Sequence, residues 1–128
     1  MNDPWYRTTL RLGQTNLVEL DPIRFDAKWW RDYWRKTHVN GVIINAGGIV
    51  TYYPSKFKFH KRAEKLGKNG LYAEVVAAAK TEGLKVIARM DSNRVALELY
   101  EAHPDWVCVD NEGKPYRQAD KFITCIIY

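Results

Sequence analysis

The side chains in this sequence best suited to do chemistry are Gln14, Asn16, Asn45, Tyr52, Tyr53, Arg89, Asp91 and Asn93. Asp91 is the leading carboxylate, because it directly follows the apolar run from Lys85 to Met90; Glu19 and Asp21 are the other acids at that end of the elements. An acid there can hold a polar ligand, but it can also satisfy the first amides of a following helix, and that simpler role takes precedence. Arg89, two residues earlier, either points inward to a carboxylate partner such as Asp91 or snorkels through a helix layer. Gln14 and Asn45 are amides inside apolar stretches, costly to bury unless bonded, so each belongs to a hydrogen-bond network or touches a ligand. Tyr52 and Tyr53 offer an apolar face with a hydroxyl handle, or one of them roofs its loop.

The element that must position these groups is the stretch over residues 39–55, VNGVIINAGGIVTYYPS. Its β-branched run, residues 41–46, has strand length and no polar alternation, so it reads as a parallel strand buried on both faces. A long loop follows, and loops at the carboxyl ends of parallel strands are where ligands bind in α/β folds. Before it, residues 8–15 alternate as a first strand. Asp21-Pro22 turns into a helix over residues 26–37, with Trp29, Trp30, Tyr33 and Trp34 at helical spacing; packing against the sheet explains them best, with at most one tryptophan reaching solvent. Asn40-Gly41 supplies the left-handed stop.

Farther on, Asn69-Gly70 precedes a helix over residues 71–82 that buries Leu71, Val75, Ala78 and Ala79 and ends at Gly83. Lys85 to Met90 is a third strand. Ser92 or Asn93 caps a further helix reaching His103, residues 105–117 form a small hairpin, and residues 122–128 a last apolar strand. The order predicts an α/β fold with right-handed crossovers. No glycine fingerprint of dinucleotide or P-loop type follows any strand.

The chain has 128 residues, 46% of them hydrophobic, and a net charge of +5, which suits one domain. No apolar run serves as a signal segment or membrane span, so a cytoplasmic location is expected. Cys108 and Cys125 are expected to be free, small, buried hydrophobes. Neither a metal site nor a cofactor is implied, since the three histidines lie far apart and no CxxC is present. Positive charge is dense only over residues 56–68, interleaved with Phe57, Phe59 and His60; nucleic-acid binding there is weighed against a solvated loop with tucked aromatics, and the loop is preferred.

Taken together, RLGQTNL, the W-x-x-Y-W helix, GVIINAGGIVTYYPSKF, VIARMDSNR and the HPDW segment resemble the N-terminal part of glycoside-hydrolase-like (β/α)8 barrels. The group is that of the hypothetical glycosyl hydrolases related to α-L-fucosidases, amylases and some β-galactosidases. The resemblance implies a partial TIM-type barrel, about the first half, with a small β-hairpin after the third helix, in one domain over residues 1–128. It implies a carbohydrate ligand, and the YYPS loop with the strand-end polar groups predicts that the eight side chains named at the outset line one concave face to hold it. Glycoside hydrolysis needs two carboxyl groups about 5 to 9.5 Å apart, and barrels of this kind carry them on strands from the fourth on. The chain alone is therefore expected to be inactive, a fragment or truncated product in which Thr124-Cys125 runs into Ile126-Ile127-Tyr128. An alternative is a non-enzymatic half-barrel that binds a protein partner or pairs as a homodimer through open sheet edges. Its uncovered inner face would carry Leu10, Leu12, Val42, Ile44, Val86 and Ala88, or the alternate residues if the register is reversed.

Overall fold

A computed structural model describes residues 3–68 and 70–125. A short helix α1 (Trp5–Thr8) leads to strand β1 (Leu12–Thr15), a 3-10 turn follows at Asp21–Ile23, and helix α2 (Ala27–Thr37) crosses to strand β2 (Gly41–Gly47). Two short strands, β3 (Val50–Thr51) and β4 (Lys61–Arg62), precede helix α3 (Leu71–Thr81) and strand β5 (Lys85–Met90). The remainder is β6 (Arg94–Val95), helix α4 (Leu97–Ala102), a 3-10 turn at Pro104–Trp106, β7 (Arg117–Gln118) and β8 (Lys121–Ile123).

Strands β1, β2 and β5 form a parallel sheet in that order, with Leu12 opposite Gly41 and Gly41 opposite Lys85. The domain is thus mixed α/β around a parallel sheet. On one face Val42 and Ile44 are fully buried in a core with Trp34, Leu71, Val75, Ala78 and Ala79 from α2 and α3. Each such aliphatic side chain contributes about 1.5–3 kcal/mol by leaving water. The opposite face carries Gln14 beside Ile43, then Asn45 beside Arg89. Gly41 has no room for a side chain: a Cβ there would stand 2.8 Å from Leu12 Cδ2 and 2.9 Å from the Lys85 carbonyl.

Helix α2 starts where expected, because the Asp26 carboxylate accepts the amides of Lys28 and Trp29 at 2.9 and 3.0 Å. Its tryptophans divide: Trp34 is buried, Trp30 half-buried, and Trp29 is exposed, stacked on an exposed Tyr33. Helix α3 buries the four residues anticipated for it. The helices are clamped by Glu82, whose two carboxylate oxygens accept from Arg31 Nε at 2.5 Å and Arg35 Nε at 2.6 Å. Those guanidiniums, Arg35 first, lower the Glu82 carboxyl to about 2.

Several expectations are corrected. The first strand begins at Leu12, because residues 5–8 turn into α1, with the Thr8 hydroxyl donating back to the Trp5 carbonyl. The left-handed residue closing α2 is His38, φ 53°, while Asn40 uses its side chain to accept the Arg11 amide. Strand β2 is buried on its helix face and half-covered on the other. Neither Ser92 nor Asn93 caps a helix: Arg94 and Val95 pair with Ile123 and Phe122, and α4 begins only at Leu97. The last strand does not extend the parallel sheet, since β8 is antiparallel to both β6 and β7; residues 126–128 of that predicted strand lie outside the described residues. The small hairpin exists as a bridge between Val109 and Pro115, with Gly113 in its turn at φ 77°. Both cysteines are free and half-buried; burial, then the neighbouring Cys125 thiol, pushes the Cys108 thiol up. No helix among the described residues is long and apolar enough to cross a membrane.

Candidate functional site

The carboxyl ends of the three parallel strands gather a polar network. Gln14, in β1, donates from Nε2 to Asn16 Oδ1 at 2.7 Å, and Arg89, in β5, donates from Nη1 to the same oxygen at 3.0 Å. Arg89 also turns Nε and Nη2 to Asp91 Oδ1, at 2.9 and 2.8 Å. The chain Gln14, Asn16, Arg89, Asp91 therefore joins the two edge strands across β2. Between them, on the same face, stands Asn45, whose Oδ1 is buried with no hydrogen-bond partner among the described residues. Such an acceptor costs free energy unless something bonds it. Arg89 thus takes the inward orientation, and Asp91 pairs with it and does not cap a helix.

The backbone reinforces this corner. Strand β2 carries one extra residue between Asn45 and Gly47 where it pairs with β5, a bulge of the kind that re-aims side chains beside sites. The Asp91 amide then donates to the Gly47 carbonyl at 2.9 Å. Next to it, Gly48 must be a glycine, since a Cβ would meet the Asp91 carbonyl at 2.8 Å and the Asp91 Cβ at 2.9 Å.

Three expected site residues stand apart from the network. Tyr52 is only 3% exposed and donates its hydroxyl to the Leu17 carbonyl at 2.7 Å, so it roofs the loop. Burial, then the charges of Asp21 and Glu19, raises that phenol. Tyr53 is half-buried with its hydroxyl 3.5 Å from His60 Nδ1. Asn93 contributes its carbonyl, which accepts the Thr124 amide at 3.2 Å. Asp21 is spent locally, accepting the Val18 amide at 2.6 Å.

Asp91 borders a cleft of about 1000 Å³ that the sequence did not disclose. Glu19, Phe57, Phe59, His60 and Trp106 also line it. The aromatic groups make one wall: Phe57 lies 5.7 Å from Phe59, Phe59 lies 5.7 Å from His103, and His103 stacks on Trp106 at 4.0 Å. Short strands β3 and β4 pinch the base of the loop over residues 52–60, which presents Phe57 and Phe59 to that wall. The basic loop and the HPDW segment were visible in sequence, but their closure across some 45 residues of chain had no local signal. Among the described residues of the lining, the cations Lys58, Lys61, Arg94 and Lys121 face an equal number of acids, Glu19, Asp91, Glu98 and Asp120. The loop's positive charge is therefore offset inside the cleft.

A parallel α/β layer with its polar groups at the strand ends and an aromatic-walled cleft beside them is an arrangement suited to polar organic ligands. The chain belongs to the family described as hypothetical glycosyl hydrolase 6, whose model matches residues 26–125. Among solved structures it is similar to α-L-fucosidase isoenzyme 2 from Paenibacillus thiaminolyticus, with a TM-score of 0.66 and 19% identity over 90% of this chain and 19% of that one. It is also similar to the galactosidase domain of the α-galactosidase-sucrose kinase AgaSK, with a TM-score of 0.50 and 15% identity over 89% of this chain and 16% of that one. The chain thus spans less than a fifth of the length of either structure in which its fold recurs. No curated protein matches it in sequence.

Proposed function

We propose that this chain forms the opening part of a (β/α)8 barrel of glycoside-hydrolase type and holds sugar hydroxyls at its strand ends. Parallel strands that follow one another in chain order, with helices on one face, support the barrel reading. The observation that carries the ligand reading is Asn45 Oδ1, buried without a partner among the described residues on the same sheet face as Gln14 and Arg89, an acceptor that a sugar hydroxyl would satisfy once it reached that face. Asp91, held by Arg89, is read here as a binding carboxylate that accepts from sugar hydroxyls. In this reading the catalytic carboxylates stand on parallel barrel strands from the fourth on, and hydrolysis requires them.

The test is a titration with methyl α-L-fucoside and methyl α-D-galactoside followed by amide NMR. Signals of residues 14–16, 45 and 89–91 are expected to shift together in the wild type. An unchanged spectrum with both sugars would overturn the reading. A second reading, a non-enzymatic unit that pairs with another chain, is favoured by one observation: among the described residues, β1 and β5 each have one unpaired edge.

A further inference from the structure

Inside the loop over residues 52–60 lies a hydrogen-bond relay that the network above does not use. Ser55 Oγ accepts the Phe57 amide at 3.1 Å and lies 2.8 Å from His60 Nδ1. With one lone pair of the hydroxyl turned to that amide, its hydrogen remains free to be donated to the imidazole. In the tautomer that accepts it at Nδ1, the ring proton sits on Nε2 and faces away from Ser55. The Tyr53 hydroxyl, 3.5 Å from Nδ1, lies on that same side. The ring is braced edge-on by Phe57 at 4.9 Å and by Tyr53 at 6.4 Å, while the His60 amide donates to the Phe57 carbonyl at 3.1 Å. His60 lines the cleft, and no partner for its Nε2 is found among the described residues.

We propose that Ser55 and His60 are a positioning pair that presents the Nε2–H of His60 as a donor to an oxygen of an uncharged sugar in the cleft. This rests on the carbohydrate reading above and deepens it. A pyranose has C–H groups on a face and oxygens around its edge. The aromatic wall of Phe57, Phe59 and Trp106 takes the face, and a donor with a fixed tautomer takes the edge. Because the acids and bases of the lining are equal in number, the cleft has little net field with which to prefer a charged sugar.

Two measurements on the full chain decide the matter. In the ligand-free protein, nitrogen-15 NMR of the imidazoles is expected to show a bare Nδ1 and a protonated Nε2 for His60, and Ser55→Ala should mix the two tautomers. In titrations with methyl α-L-fucoside and methyl α-D-galactoside, His60→Ala should weaken binding about tenfold, the worth of one well-placed hydrogen bond. His60→Gln, which keeps an N–H donor, should recover most of that loss, and methyl glucuronide should bind no more tightly than the neutral glycosides. A proton found on Nδ1 in the wild type, or wild-type affinity in a folded His60→Ala, would overturn the pair while leaving the carbohydrate reading standing. Failure of every sugar to bind the wild type would overturn that reading, and the inference with it.

Discussion

An amide oxygen buried without a partner destabilises the fold that contains it, which makes Asn45 an experimental lever. Asn45→Leu replaces the orphaned acceptor with an apolar group of similar shape. Chemical denaturation is expected to show a change within about 1 kcal/mol, in either direction, while sugar binding is lost. A loss above about 2 kcal/mol would instead mean that the amide is bonded within the fold. Asp91→Asn should behave similarly: its pair with Arg89 is partly open to water, with side chains 38% and 30% exposed, so the stability cost is below about 1 kcal/mol. Ligand contact is the larger casualty. At this scale the sequence disclosed residue types but not their directions. A strand with apolar residues at successive positions has no alternation to reveal which face the helices cover, so the inward turn of Arg89 follows only from its register against Asn45. Likewise Tyr52 looks as available as Phe57 until Leu17, 35 residues earlier, supplies the carbonyl that buries it.

Between elements, the Glu82 clamp and the bulged corner of β2 lead to different experiments. Glu82 has a folded-state pKa of about 2, below its ordinary value of 4.5. Its stabilisation is therefore fully present above pH 4.5 and is lost as the pH falls toward 2. Melting curves across that window should fall more steeply for the wild type than for Glu82→Gln, and parallel curves would show that the clamp contributes nothing. Gly48→Ala forces a methyl group against the Asp91 backbone, a close-packed clash of about 1–3 kcal/mol. Its NMR perturbations should centre on residues 89–91; an unperturbed Asp91 amide would show that the corner yields at no cost. The periodic elements α2, α3 and β5 were legible because their repeats are local signals, although the stop of α2 falls at His38 and not at Asn40-Gly41. The segment after Asp91 was not. Arg94 and Val95 follow a plausible cap, yet they are drawn into a sheet by Phe122 and Ile123, a non-local pairing that outweighs local propensity.

For the molecule as a whole, the face of the sheet away from the helices decides behaviour in solution. Leu12, 45% exposed, shares that face with Ile43 and Ile87, the alternate set to Val42, Ile44, Val86 and Ala88, which turn toward the helix side. With outer edges of β1 and β5 unpaired among the described residues, a second chain has both backbone groups and apolar surface to meet. Sedimentation at micromolar concentration is expected to show a dimer or larger species; a stable monomer would require that this face tolerate water unaided. The same sheet bears on how the chain is made. Each of its strands pairs with the strand of the sheet before it, and α3 packs on β2 and β5, the strands it joins. As the ribosome delivers the polypeptide from its N-terminus, every new parallel strand therefore finds its template already synthesised. Growth of the sheet can keep pace with translation, and the strand left waiting at any moment is always the newest.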